Sequence, residues 1–428
     1  MSISDYLKQN RGLHEIVCMM LENYKHYGRL HGNCIVESPP DNLRYLAGRI
    51  MGNVLRSSYK ETGPLVFSFN TFFARLKKVN CTNEEIGDML QEYFGEIIVT
   101  RPQIAEKKKA DFKELLSTIV EECHSEIKGR LIADIEVKGR VYLTLRNVFN
   151  EDRKRALKSW KVIKKMWLWV IGQIDKPVEN LKLVMVSDTV IGDPHGLDRT
   201  SIYRKLFVYL LALESGKDMP QVFAESEQEF LSEFNIYTDF VSSFISVYNI
   251  RDEYKDGTSM WGPFVDNEQL MNITLANVLA AEKIITPGNM LIVENPSVFE
   301  SLCPAVNNDK FCLMCTHGNL NVAALKLLDC AIKTNPDIKL FYNGDFDFGG
   351  ITIANRMLYR FGGSVSLVHY DKETYESITS EVRVSDDKVR AKLERIHPEL
   401  REITEAIAER GIACYQESII ERLIGFIS

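Results

Sequence analysis

No apolar run in this chain approaches the ~20 residues needed to cross a bilayer. The most apolar stretch beside the tryptophans, KMWLWVIGQI (165–174), is far too short. The N-terminus MSISDYLKQNRGLHE lacks the apolar core of a signal peptide. A cytoplasmic protein without membrane contact is therefore expected. Internal repeats, low-complexity tracts and long linkers are also lacking. The nine cysteines follow no framework, and only Cys312 and Cys315, in KFCLMCTHG, have CxxC spacing. A structural zinc site needs four ligands in tetrahedral arrangement. With no second pair and no Cys/His cluster nearby, both thiols are expected in the core. Positive charge is not in excess either: the net charge is −7, so the sum does not point to nucleic acid.

The distribution of charge says more than the sum. EDRKRALKSWKVIKKMW (151–167) carries seven Lys or Arg between 153 and 165. On a helix Lys154, Lys158, Lys161 and Lys165 fall at i, i+4, i+7 and i+11 and share one face. EKKKADFK (106–113) is a second basic cluster. Taken alone, each is more simply a solvated helix face than a phosphate-binding one.

A length of 428 residues suits two or three domains. Apolar residues three and four apart predict helices through most of 1–180, in DNLRYLAGRIMGNVL, NEEIGDMLQEYFGEII and KADFKELLSTIVEECHSEIKGRLIADI. Thr82 is the expected N-cap of the second of these, and TGPLVFSF a short strand. LKLVMVSDTV reads as a strand, followed by a turn-rich loop and a helix from near Arg199. Residues 216–285, including EQEFLSEFNIYTDFVSSFISVYNI and LMNITLANVLAAEKII, read as helices. From 286 onward short apolar runs (NMLIVEN, KFCLMCTHG, IKLFYNGDFD, SVSLVHYD) alternate with helical segments. That alternation predicts a parallel α/β sheet with its ligand site at the carboxyl ends of the strands.

Glu294 ends one such strand, and Asp345 and Asp347 end another in FYNGDFDFGGITIA (341–354). Clustered carboxylates raise each other's pKa unless a cation neutralises them, and hard oxygen ligands suit Mg²⁺ or Mn²⁺. Gly349 and Gly350 allow close backbone approach at the start of a helix whose N-terminus favours an anion. Phosphate-ester chemistry fits this set. An EF-hand loop does not, since its twelfth position would be Arg356 where a bidentate Glu is required. Two alternatives stay open from the residues alone. One is a dehalogenase-type phosphatase with the first Asp of DxD as nucleophile; the other is a pair of turn and cap residues.

Strand–Glu followed by strand–Asp-x-Asp resembles a Toprim domain, the metal-binding fold of topoisomerases and primases. LIVENPSVFESL and FYNGDFDFGGITIANRML are similar to the Toprim half of JetD-type proteins. These are nuclease subunits of Wadjet systems, SMC-based anti-plasmid defences, and are related to the topoisomerase VI A subunit. IGDPHGLDRTSIYRKLFVYLLAL (191–213) and CYQESIIERL (414–423) share the resemblance. Relatives often carry His, Trp and Pro around the DxD, where this chain has Asn343, Phe348 and Gly349.

The resemblance implies a helical N-terminal region (1–180), a helical, winged-helix-like region (181–285) and an α/β Toprim, Rossmann-like, catalytic domain (286–428). It implies a divalent-metal-dependent endonuclease acting on double-stranded DNA as a homodimer with SMC-like condensin subunits. Glu294, Asp345 and Asp347 would hold Mg²⁺ or Mn²⁺, with Glu417 completing the set. Glu294 would ligate a second ion or act as general base. The basic helix with Lys154, Lys158, Lys161 and Lys165, together with His195 and Arg199, would face DNA. Asp198 and His317 are further candidates, although an Asx turn in GDPHGLD and a satisfied loop histidine explain them as well. Tyr203 is the candidate for a covalent nucleophile of the topoisomerase kind. A non-catalytic DNA-binding adaptor is the rival reading of the same fold.

Overall fold

The computed structural model describes residues 2–52, 63–77, 82–123, 125–220, 224–384 and 396–428. Two compact units divide the chain, Met1–Trp160 and Lys161–Ser428. Among the described residues no helix is long and apolar enough to cross a membrane.

The first unit is helical, as its periodicity predicts. Thr82 caps the helix Asn83–Phe94 in a reciprocal capping box with Glu85, and Thr100 does the same with Gln103 for Arg101–Glu121. Each box satisfies two backbone donors that a helix start leaves open. Ile16, Met20, Phe72, Phe73 and Leu90 are buried in one core. The expected strand forms as Leu65–Ser68, antiparallel to Asn33–Val36. The three expected helices differ from their reading, the one capped by Thr82 ending at Phe94 rather than Ile98. The first ends at Met51, with 53–55 outside the described residues; the third divides into Arg101–Glu121 and Ser125–Glu136, with His124 outside them.

The second unit is built on a six-stranded sheet. Its strands are β1 (Phe244–Tyr248), β2 (Met271–Thr274), β3 (Asn289–Val293), β4 (Phe311–Cys315), β5 (Lys339–Tyr342) and β6 (Val365–Leu367). Their order is β6-β5-β3-β4-β1-β2. The four strands β3 to β6 are parallel, while β1 is antiparallel to both β4 and β2. Met290 to Val293 and Cys312 to Cys315 are fully buried, so these runs are apolar throughout, without alternation. That is the pattern of strands covered on both faces. Cys312 and Cys315 are core residues, as expected, and burial raises both thiol pKa values, that of Cys315 to about 11.

Two readings need correction. Of LKLVMVSDTV only Leu181–Lys182 is strand, paired parallel to Ile236–Tyr237, and Leu183–Ile191 is a helix. Its buried residues Leu183, Val186, Ser187 and Val190 recur at helical spacing. The stretch 216–285 is helical only in part: β1 and β2 lie inside it and join the main sheet. In FISVY every residue after Phe244 is buried, so no alternation marked it as a strand.

Helices Pro296–Leu302, Val322–Thr334 and Phe348–Phe361 connect β3 to β4, β4 to β5 and β5 to β6. From β3 the chain moves toward one edge of the sheet, and from β5 toward the other. Because β3 and β5 are neighbours, the crevice between their carboxyl ends is a topological switch point, where open α/β sheets bind ligands.

Candidate active site

Register sets the site. Tyr342 stands beside Ile292, and the Asn343 amide donates to the Ile292 carbonyl at 3.1 Å, extending the pairing by one residue. Glu294 and Gly344-Asp345 therefore leave the sheet side by side. The Asp345 amide donates to Glu294 Oε2 at 3.4 Å. Asp347 caps Phe348–Phe361, accepting from the Gly350 amide at 2.8 Å. The alternative role expected for this residue, an N-cap, is thus real for Asp347, and it places that carboxylate at the same edge.

The C-terminal segment closes the site. Phe346 and Cys414 exchange backbone hydrogen bonds (2.8 and 3.2 Å). The Gln416 amide then donates to Asp345 Oδ1 at 2.9 Å. The fully buried Gln416 side chain donates to the carbonyl and side-chain oxygens of Asn343 and accepts from the Asn295 amide. Glu417 accepts from Asn295 Nδ2 at 2.6 Å and from Ser297 Oγ at 3.3 Å. Tyr370 Oη donates to the Asp345 carbonyl at 2.7 Å, and its ring stacks on Phe346.

Glu294, Asp345, Asp347 and Glu417 are thus brought to one edge. Burial and the charges of Asp345 and Asp347 push the Glu294 carboxyl up to about 7, against the opposing Asp345 amide. Burial raises Asp345 as well, reinforced by Asp347 and Glu417 and opposed by the Gln416 amide. As placed, no three Asp, Glu, His or Cys side chains among the described residues converge on a point that could hold a metal ion. Each carboxylate is instead drawn to a local donor. The donor set nonetheless fits a hard divalent ion: all-oxygen, partly buried and electrostatically unrelieved.

A stability prediction follows from Glu294. Its folded pKa lies above the ordinary 4.5, so the metal-free fold loses stability as pH rises from the ordinary value through about 7. Glu294→Gln is expected to stabilise the chelated protein at pH 8 by about 1–3 kcal/mol, with no gain below pH ~4.5. Urea denaturation at both pH values checks it; equal stability at pH 8 would contradict it.

The other sequence candidates stand on other elements. His195 Nδ1 pairs with Asp198 at 3.1 Å, and the His195 amide donates to Asp193 Oδ1 in an Asx turn, the loop-stabilising role. Arg199 is exposed, and Tyr203 lies in the first turn of Ile202–Ser215, capped by Ser201. His317 has a positive φ, and its Nε2 meets Ser246 Oγ at 2.7 Å, so it is a satisfied loop histidine. Lys154, Lys158, Lys161 and Lys165 are all exposed on the helix Arg153–Asp175. Tyr342 and Asn343 adjoin the Asp345 turn in sequence, Tyr370 is brought to it by the segment after β6, which bonds Tyr342 and Asn343, and Gln416 by the Phe346–Cys414 bridge; no local pattern marked Tyr370 or Gln416.

A family model described as "Protein of unknown function N-terminus (DUF3323)" matches residues 31–252. A second, described as "Protein of unknown function C-terminus (DUF2399)", matches 271–427 and contains the whole carboxylate edge. No curated protein matches the chain.

Proposed function

The chain belongs to the DUF3323 family, with a DUF2399 domain following in the same chain, and from this pairing and the carboxylate edge we propose that it is a divalent-metal-dependent DNA endonuclease. The pairing is the one found in JetD-type proteins of Wadjet systems, which supports a Toprim nuclease subunit working with SMC-like partners. The observation that carries the reading is the gathering of Glu294, Asp345, Asp347 and Glu417 along one edge, at the switch point between the parallel strands β3 and β5.

Asp345 and Asp347, completed by Glu294 or Glu417, would hold Mg²⁺ or Mn²⁺. When bound, such an ion supplies charge neutralisation and Lewis acidity at a phosphate oxygen. The remaining work belongs to the chain. The N-terminus of Phe348–Phe361 favours the phosphate. Gln416 and Tyr370 hold the Asp345 loop at its side chain and its carbonyl. Glu294, whose Oε2 lies beside the Asp345 amide, would either ligate a second ion or accept a proton from the attacking water. Two copies would present two such sites to a duplex and cut both strands.

The test is incubation of supercoiled plasmid with purified protein and Mn²⁺ or Mg²⁺, with and without the SMC partners. Nicked or linear product from wild type, lost in Asp345→Ala and Glu294→Ala, is the expected result. Product covalently joined to protein would move the chemistry to Tyr203. No cleavage with partners present would favour a DNA-binding adaptor, and turnover of p-nitrophenyl phosphate a phosphatase.

The exposed lysine row gives a separate expectation. Replacing Lys154, Lys158, Lys161 and Lys165 by Ala should weaken duplex binding for all sequences alike. It should also flatten the plot of log affinity against log salt by about 0.9 for each phosphate that is no longer neutralised. Fluorescence anisotropy across a salt series measures this, and an unchanged slope would return the row to a solvated face.

A further inference from the structure

Tyr342, the last residue of β5, is fully buried, and its Oη has no hydrogen-bond partner. A buried hydroxyl without a partner destabilises a fold, and of the buried atoms left so this one lies beside the carboxylates. The neighbouring Tyr370, also buried, is satisfied by the Asp345 carbonyl. The unpaired hydroxyl stands at the carboxylate edge. A Cβ on Gly344 would collide with Tyr342 Oη and would lie 3.0 Å from Glu294 Oε2. The bare glycine thus leaves phenol and carboxylate facing one gap. The hydrogen bond that Glu294 accepts from the Asp345 amide is long, at 3.4 Å, so this carboxylate is loosely held.

We propose that Tyr342 is a positioning residue for divalent-cation binding: in the loaded site its Oη donates to the Glu294 carboxylate and fixes that carboxylate's orientation. The inference rests on the metal-dependent reading above and deepens it. It gives the buried Tyr342 hydroxyl a partner at the carboxylate edge. It also separates Tyr342 from a tyrosine that merely packs, because the two roles predict opposite signs. Removing an unpaired hydroxyl relieves the metal-free fold, whereas removing a donor to a charged carboxylate weakens the loaded one.

The experiment is Mn²⁺ titration of the full chain by calorimetry, with thermal unfolding in chelator and in Mn²⁺. Wild type is compared with Tyr342→Phe and Asp345→Asn. In Tyr342→Phe the metal-free midpoint should stay level or rise. Its Mn²⁺ affinity should fall roughly ten- to a hundredfold, and the Mn²⁺-induced rise in midpoint should shrink accordingly. Asp345→Asn should lose Mn²⁺ binding altogether. If Tyr342→Phe binds Mn²⁺ as tightly as wild type, or melts earlier in chelator, the tyrosine proposal fails while the carboxylate site stands. If wild type itself binds no Mn²⁺, the functional reading falls and this inference with it.

Discussion

Asp345→Asn is expected to lower the single-turnover rate of plasmid cleavage roughly a thousandfold, with the fold unchanged. The substitution keeps shape and keeps an acceptor. The Asn Oδ1 can still receive the Gln416 amide that Asp345 Oδ1 receives at 2.9 Å. Tyr370 donates to the backbone carbonyl at 345 and is unaffected. What disappears is one negative charge from a group of four, and it is the central one: Asp345 lies between Glu294, which accepts from its amide, and the charges of Asp347 and Glu417. The metal-free protein should therefore be no less stable, since a repelling charge has gone. Rapid-quench cleavage with Mg²⁺ and the SMC partners, beside circular dichroism and urea denaturation, separates the two effects. Cleavage within a factor of about three of wild type, where a missing ligand should cost orders of magnitude, would remove Asp345 from the chemistry.

The parts of this site that were legible in the sequence are those set by strand ends. Continuous apolar runs such as MLIV and FCLMC are buried on both faces, and a carboxylate at the end of such a run has nowhere to go but the edge. Glu294 is found that way without any fold in hand, and Asp345 by its place just beyond the end of the shorter run KLFY. The rule breaks where an apolar run has the same composition in either state. LVMV carries β-branched residues and reads as strand, yet its register with Ser187 and Val190 makes a helix. FISVY sits among helix-like neighbours and reads as helix, yet it pairs with β4 through Leu313 beside Tyr248. Both errors come from runs too short for period to decide. Gln416, Asn343 and Tyr370 were illegible for a different reason. Their roles depend on hydrogen bonds between segments far apart in the chain, such as Gln416 Nε2 on Asn343. Local pattern carries no record of such pairings.

Gly350→Ala is expected to cost about 3 kcal/mol or more of stability and to abolish activity, while Gly349→Ala stays within about 1 kcal/mol of wild type. Helix propensity alone predicts a small gain at both positions, since alanine is the better helix former by up to ~1 kcal/mol. Packing decides the sign. A Cβ at 350 would overlap the Asp345 carbonyl oxygen and lie 2.9 Å from its carbonyl carbon, with Tyr370 Oη at 2.8 Å. Those atoms cannot yield separately: the carbonyl accepts from Tyr370, and the same residue's carboxylate accepts from Gln416. The helix start or the Asp345 loop must then move as a body, and the carboxylates move with it. At 349 the nearest atom is Asp347 Oδ1 at 3.0 Å, a side-chain oxygen that need give by only a few tenths of an ångström while it still accepts from the Gly350 amide. Neither glycine has a positive φ, so close approach at 350, not backbone freedom, demands the missing side chain. Urea denaturation of both variants measures the contrast. Equal stabilities would mean that the Asp345 loop is softer than its hydrogen bonds suggest, and that the carboxylates are not rigidly placed before a cation arrives.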